Sequence, residues 1–407
     1  MTDKISKEIQ IRQREGLALS LSGGGYRATL FHLGLLRRLN ELDLLKSVDA
    51  ISSVSGGSIT AAKLAKTSKI WKRGRLGNKY WNTVVRDPLV EFAALNIRTG
   101  PILSSMAKFW QKGVAVQKTE ERYYQDLTDQ TLGDLPDDVD FVFCASDMVF
   151  STHWYFRKKT SKAKATGNHR AGRLKNWESI PVAKAVAASS CFPPVFGPMV
   201  LAKTEEDFYK PSTKRDDDWE ELVKQIRLTD GGVYDNLGIE PVWRDYKNLI
   251  VSDGGKPTPF TPLGSAGQLS RLPGLFQEQI EDLRKRMLIQ RSDSKCVDFN
   301  AALIMIGKGG APKGYSKLFA KEVLSGIRTD LDSFSEVEAR VLENHSYALA
   351  DYYIKQYLLH GLDSSTYDTK ALNDFAVPNP EYMDEDDLRC KLKRSGRRSL
   401  FYKWRVL

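Results

Sequence analysis

A three-layer α/β/α fold around a mainly parallel central sheet is predicted by three features of this 407-residue sequence. Two strand–loop–helix units follow one another near the start of the chain, and parallel neighbours require such crossover connections. Three more apolar runs of strand length come later: DFVFCASD (140–147), KNLIVSD (247–253) and FNAALIMIG (299–307). Hydrophobic residues make up 41% and charged residues 28%, which is enough for a large core. No stretch approaches the roughly 20 apolar residues needed to span a bilayer.

The elements read as follows. LALSLS (17–22) is an apolar-alternating strand that breaks into Gly23, Gly24 and Gly25. Apolar residues then recur at helical spacing through Leu30, Leu33, Leu36 and Leu39. VDAISSVS (48–55) is a second strand and GGSITAAKLAKT (56–67) a second helix. Residues 71–110 are rich in Trp and Phe without a strand pattern, and read as helices over the sheet edge, a candidate lid. EQIEDLRKRMLIQR (278–291) and SEVEARVLENHSYALADYYIKQYLL (335–359) are amphipathic helices. The last ~25 residues, highly charged and punctuated by proline, read as loosely ordered.

A net charge of +10 suggests an anionic partner, nucleic acid or an acidic membrane face. The basic residues concentrate in 157–175 and in the tail KLKRSGRRSLFYKWRVL (391–407), although charge runs usually just face water. No nucleic-acid-binding motif accompanies them, so nucleic acid is not expected. The polar start lacks the apolar segment of a secretory signal. Four scattered cysteines without a CxxC pair read as free thiols of a reducing compartment. The expected location is the cytoplasm, peripheral on the inner membrane face.

Three motifs carry chemistry. In SSVSGGS, Ser55 follows an apolar strand, precedes two glycines and opens a helix, the pattern of a nucleophile elbow that lifts one hydroxyl out of the sheet. The competing reading is a serine capping an ordinary helix. In SGGGYRA (22–28), three glycines at a helix start expose N–H groups where the dipole is positive. A dinucleotide fingerprint would need an acidic residue about twenty positions on, at the end of the second strand. The serine elbow occupies that place, which favours an oxyanion hole facing Ser55. In TDGGVYDNLG (229–238), Asp230 stands at a strand end before Gly231 and Gly232. A serine needs a base, and none of His32, His153, His169, His345 and His360 follows a final strand as a hydrolase triad would require. A Ser–Asp dyad is therefore favoured, with Asp230 and the Asp253 of a second SDGG both candidates.

SGGGYR, SSVSGGS, AVAASSCFPPVFGP (185–198) and DGGVYDNLG occur in the order found in patatin-like phospholipases, which this sequence resembles closely to about Gly255. The resemblance continues weakly in NIRTGPIL, LRKRMLIQR and LDSFSEVEARVLENHSY, which look like bacterial members. It implies a patatin-like fold, Ser55 as nucleophile, Asp230 as base, and Gly23, Gly24 and Gly25, with the Gly56 amide, as oxyanion hole. Arg27 fills the basic position after the glycines, and it, Gly231 and Gly232 are expected to support the site. Ser22, Ser53 and Ala28 depart from the pattern, the last where glycine is frequent. Residues 1–310 would form the catalytic domain, with a helical insert at about 68–128, and 311–407 a helical extension ending in the basic tail.

The activity so implied is hydrolysis of fatty acyl esters of membrane glycerophospholipids through an acyl-enzyme. No cofactor or metal is expected, since amides carry the oxyanion and DEDD (384–387) does not resemble a Ca²⁺ loop. The expected partner is a phospholipid surface. The second reading is an antiphage effector of the same family, gated by a small-molecule activator such as a cyclic nucleotide or by a protein, with the 157–175 segment as its ligand site.

Overall fold

The chain is described by a computed structural model over residues 15–97, 114–158, 165–193, 196–209, 211, 218–255, 265–294, 298–393 and 395. In chain order the strands are β1 Glu15–Leu21, β2 Val48–Ser53, β3 Asp140–Asp147, β4 Thr152–Phe156, β5 Gly167–Asn168, β6 Gly172–Leu174, β7 Met199–Val200, β8 Phe208–Tyr209, β9 Arg227–Asp230, β10 Tyr246–Asp253 and β11 Asn300–Met305. They form one sheet in the order β11-β10-β1-β2-β3-β4-β5-β6-β8, with β9 on β3 and β7 on β9. The first five strands of that order are mutually parallel. Short antiparallel strands finish the edge beyond β3. The parallel strands are apolar almost throughout because helices cover both faces.

The main helices are α1 Gly25–Glu41, α2 Gly56–Trp71, α3 Val114–Asp126, α4 Val182–Ser190, α5 Ser265–Asp293, α6 Glu336–Tyr357 and α7 Glu385–Leu392. α1 is buried along almost its whole length. At Gly34 it approaches α6 so closely that a Cβ would lie 2.0 Å from the Glu343 carbonyl oxygen. Burying α1 also buries Arg37 and Arg38, and each is paired: Arg38 with Asp351 at 2.6 Å, Arg37 with Glu343 at 3.4 Å. Residues of α6 and α7 belong to the same hydrophobic core as β1 and α1, so the C-terminal extension shares that core.

One sequence expectation is corrected, in the described part of the tail. The stretch read as loosely ordered begins with α7, whose first amides are capped by the Asp384 carboxylate and whose Leu388 and Leu392 are buried. In 157–175, Arg157 is buried against Asp140, Lys158 pairs with Asp137 at 2.7 Å, and Arg170 and Arg173 donate to backbone carbonyls. The described part of that basic run is thus largely used within the fold. Residues 159–164 of it, and 394 and 396–407 of the basic tail, lie outside the described residues, as do 98–113 of the candidate lid. Among the described residues no helix is long and apolar enough to cross a membrane.

Candidate active site

The register of β3 brings the two central residues together. Phe143 pairs with Ser53 of β2 on one edge and with Phe156 of β4 on the other. Two residues on, Ala145 pairs with Asp230 of β9 and with Trp154 of β4. β2 and β9 therefore share one edge of β3 and run head-on, and their carboxyl ends meet. The Ser55 turn leaves the end of β2, and Asp230 ends β9.

Ser55 stands between β2 and α2 at φ 50° and ψ −117°, a conformation non-glycine residues rarely adopt and one that clusters at active sites. Its own N–H donates to the Ser189 hydroxyl at 2.9 Å. Ser189, on α4, donates in turn to the Cys144 carbonyl at 2.7 Å and meets Ser58 Oγ at 2.9 Å. The turn is thus held from β3, α2 and α4 together. Ser53, where the usual motif has glycine, is buried with its hydroxyl bonded to the Val142 carbonyl at 3.2 Å.

The glycine loop leaves β1 beside this turn. Gly24 (φ 136°) and Gly25 (φ 56°) both lie in the region that favours glycine. Gly25 and Gly56 open α1 and α2, so their N–H groups have no intrahelical carbonyl to reach. The two helix starts touch: a Cβ on Gly56 would fall 2.0 Å from the Gly25 oxygen. Gly23 differs, because its N–H is committed to the Asn236 carbonyl at 3.0 Å. It shapes the loop, and the uncommitted donors come after it. Arg27 is fully buried and points away from the chemistry. Its guanidinium donates to the carbonyls of Gly254 at 2.8 Å, Ile327 at 2.8 Å and Ser325 at 3.1 Å, pinning the loop to the segments after β10 and before α6.

Asp230 is buried, and its Oδ1 accepts the Gly232 amide at 2.7 Å. The Ser55 side chain also favours its charged form. Burial pushes its carboxyl up to about 7 against the opposing pull of the Gly232 amide and the Ser55 side chain. Gly231 is required by close approach, since a Cβ there would lie 2.3 Å from the Cys144 oxygen. Asp253 also faces the cavity but is engaged elsewhere, paired with Lys285 at 2.7 Å and accepting the Gly255 amide at 2.9 Å. Lys285 bridges to Glu281 at 2.6 Å. Burial, then the nearby Asp253 charge, pushes Glu281 up to about 7.

The histidines do other work. His32 is buried between Ser252 Oγ (2.7 Å) and the Ser22 carbonyl (3.0 Å), and burial lowers it to about 4. His345 bonds the Ile306 carbonyl at 2.9 Å. His153 is buried against Tyr155 and Tyr234, and neither ring nitrogen has a partner. No histidine is among the described residues lining the cavity.

A cavity of about 490 Å³ joins these groups, with Ser55, Asp230, Gly24 and Gly25 at its base and Phe192 and Phe196 on its wall. One side is roofed by α5. Gln277 of that helix donates to the Gly232 carbonyl at 2.9 Å, and Arg284 pairs with Asp235 at 2.8 Å. Sequence reasoning missed Ser189, Asn236 and the α5 ties. Ser189 lies within the Ala-Ser segment, and the only available signal is that segment's place in the motif order.

Residues 19–243 match the family model described as patatin-like phospholipase. Among solved structures the chain is similar to VipD from Legionella pneumophila, at 15% identity over 84% of this chain and 67% of that one, with a TM-score of 0.37. It is also similar to human GIVD cytosolic phospholipase A2, at 12% identity over 85% of this chain and 62% of that one, with a TM-score of 0.45. The chain thus spans less than two thirds of the human protein's length. No curated protein matches it in sequence.

Proposed function

Since the chain belongs to the patatin-like phospholipase family and is at that level a lipid acyl hydrolase, we propose that it cleaves fatty acyl esters of glycerophospholipids with Ser55 as nucleophile and Asp230 as base. The observation that carries this reading is geometric: the meeting ends of β2 and β9 put Ser55, on its strained turn, and the buried Asp230 on one cavity, and burial lifts that carboxyl to about 7. A base poised near the working pH both accepts and returns a proton readily.

Asp230 takes the proton from Ser55 Oγ as the oxygen attacks the ester carbonyl. The carbonyl oxygen becomes an oxyanion, held by the amides of Gly24 and Gly25, with Gly56 beside them. Collapse breaks the bond to the glycerol oxygen, which leaves with the proton from Asp230. Water then gives a proton to Asp230 and attacks the acyl-enzyme, releasing the fatty acid and returning the proton to Ser55. The cavity wall of Phe192 and Phe196 suits an acyl chain.

The test is lipid mass spectrometry of phospholipid vesicles incubated with wild type and with Ser55→Ala, alongside fluorophosphonate labelling with mapping of the adduct. Fatty acid and lysophospholipid from wild type alone, with the adduct on Ser55, are expected. Hydrolysis by the Ser55→Ala variant, or an adduct on another serine, overturns the reading.

A further inference from the structure

α5 has its polarity inverted. Viewed down its axis, positions 274, 277, 278, 281 and 285 share one face, and that face lines the cavity with Gln277, Glu278, Glu281 and Lys285. The opposite face carries Leu272, Leu275, Phe276, Ile280 and Leu283, all exposed, with Phe276 at 58% and Leu283 at 59%. A surface helix ordinarily turns its apolar stripe to the core. Here the carboxylates, lysine and amide face inward because they tie down the catalytic loops, and the leucines are left outside. Phe192, exposed on the cavity wall, adds apolar surface at the same mouth, and Val233 is exposed in the Asp230 loop.

We infer that α5 is the element by which this protein seats on a lipid surface, with Leu272, Phe276, Ile280 and Leu283 entering the acyl layer. The inference rests on the hydrolase reading for its choice of occupant. The ridge lies on the outer side of the helix that roofs the cavity, and a lipid layer is the one partner whose seating would also supply the acyl ester. Arg286 is exposed one turn beyond Leu283, placed to meet phosphates while the apolar residues enter below them. Because Gln277, Glu281 and Lys285 on the inner face hold Gly232, Asn236 and Asp253, seating α5 also bears directly on the catalytic loops.

The experiment uses vesicles of phosphatidylglycerol and phosphatidylethanolamine. Binding is measured by co-sedimentation in the Ser55→Ala protein, with and without Phe276→Ser/Leu283→Ser. The double change should weaken vesicle binding by about a hundredfold. With Ser55 intact, it should reduce hydrolysis of vesicle lipid similarly and leave hydrolysis of a soluble butyrate ester within about twofold. A Phe276→Trp variant should show a blue-shifted emission on adding vesicles. Unchanged vesicle binding, an emission from the Phe276→Trp variant that does not shift, or a parallel loss of soluble-ester activity overturns the inference. So does light scattering that shows a wild-type dimer made monomeric by the double change, which would give the ridge to a second copy. Failure of the hydrolase reading is seen separately, as a wild type inert on every ester while vesicle binding remains measurable.

Discussion

The hydroxyl of Ser189 accepts the backbone N–H of Ser55 at 2.9 Å, so the strained turn that presents the proposed nucleophile is held by a side chain 134 positions away. Ser189→Ala leaves that buried amide without an acceptor, which costs about 1–3 kcal/mol. The loss falls on a residue at φ 50° that needs its surroundings to stay there. A lower melting temperature and a kcat reduced about tenfold or more on a soluble ester are expected, with KM little changed. Wild-type kcat in a correctly folded Ser189→Ala protein would show that the turn holds itself.

Asp230, the proposed base, should set the pH dependence. Its carboxyl, lifted to about 7 by burial, must be ionised to take the Ser55 proton, so kcat/KM should fall about tenfold per unit as pH drops below 7. The sign for stability is opposite. The folded-state value exceeds the unfolded one, near 3.9, so the native state binds this proton more tightly. Stability therefore declines as pH rises from about 4 to about 7, by up to about 4 kcal/mol. Asp230→Asn removes that ionisation penalty. The variant should be inert toward esters yet more resistant to denaturant than wild type at pH 8, with the gap closing by pH 4.5. Equal denaturation curves at both pH values would mean the carboxyl is not destabilised by burial.

The local parts of this site were legible in the sequence, and the long-range parts were not. Ser55 and Gly23–Gly25 announce themselves because a strand, a glycine turn and a helix start are contiguous. Asp230 could be placed at a strand end, but that β9 abuts β2 along one edge of β3 is a pairing between residues far apart in sequence. The sequence reading set the histidines aside by position, and none is among the described residues lining the cavity. The apolar residues of α5 read as an ordinary amphipathic helix, since periodicity gives the faces and not which one looks inward. α7 was hidden by its charge, although the cap at Asp384 and the buried Leu388 and Leu392 account for it.

Asp253 and Asp230 both face the cavity, and their partners separate them. Asp253 is neutralised by Lys285 at 2.7 Å and lies in a second SDGG loop. Asp253→Asn should change kcat by less than about fivefold, against a loss of about a thousandfold or more for Asp230→Asn. Kinetics of the two variants on one soluble ester decide it, and the reverse order would move the base to Asp253.

His32 is the histidine nearest the glycine loop in sequence, and it bonds Ser22 and Ser252 from inside α1. His32→Asn should lower the melting temperature while the folded fraction still labels with fluorophosphonate at close to the wild-type rate. A folded variant that no longer labels would restore a histidine to the mechanism.

Gly56 tests whether the two helix starts act together. A Cβ there would lie 2.0 Å from the Gly25 oxygen and 2.8 Å from its carbonyl carbon, both backbone atoms with no rotamer to move aside. Gly56→Ala must therefore spread the Ser55 turn from the glycine loop, and those are the segments proposed to share the oxyanion. Removing one such donor lowers kcat by about a hundredfold or more, and a loop displaced as a whole should do no less. Gly77→Ala is the control, because nothing lies within 4 Å of its Cβ position and its φ of −62° suits any residue. Kinetics and thermal unfolding of both variants are the measurement. Gly77→Ala should match wild type in kcat, while Gly56→Ala should lose both activity and stability. A Gly56→Ala protein with wild-type kcat would show that the oxyanion does not depend on the contact between the two loops.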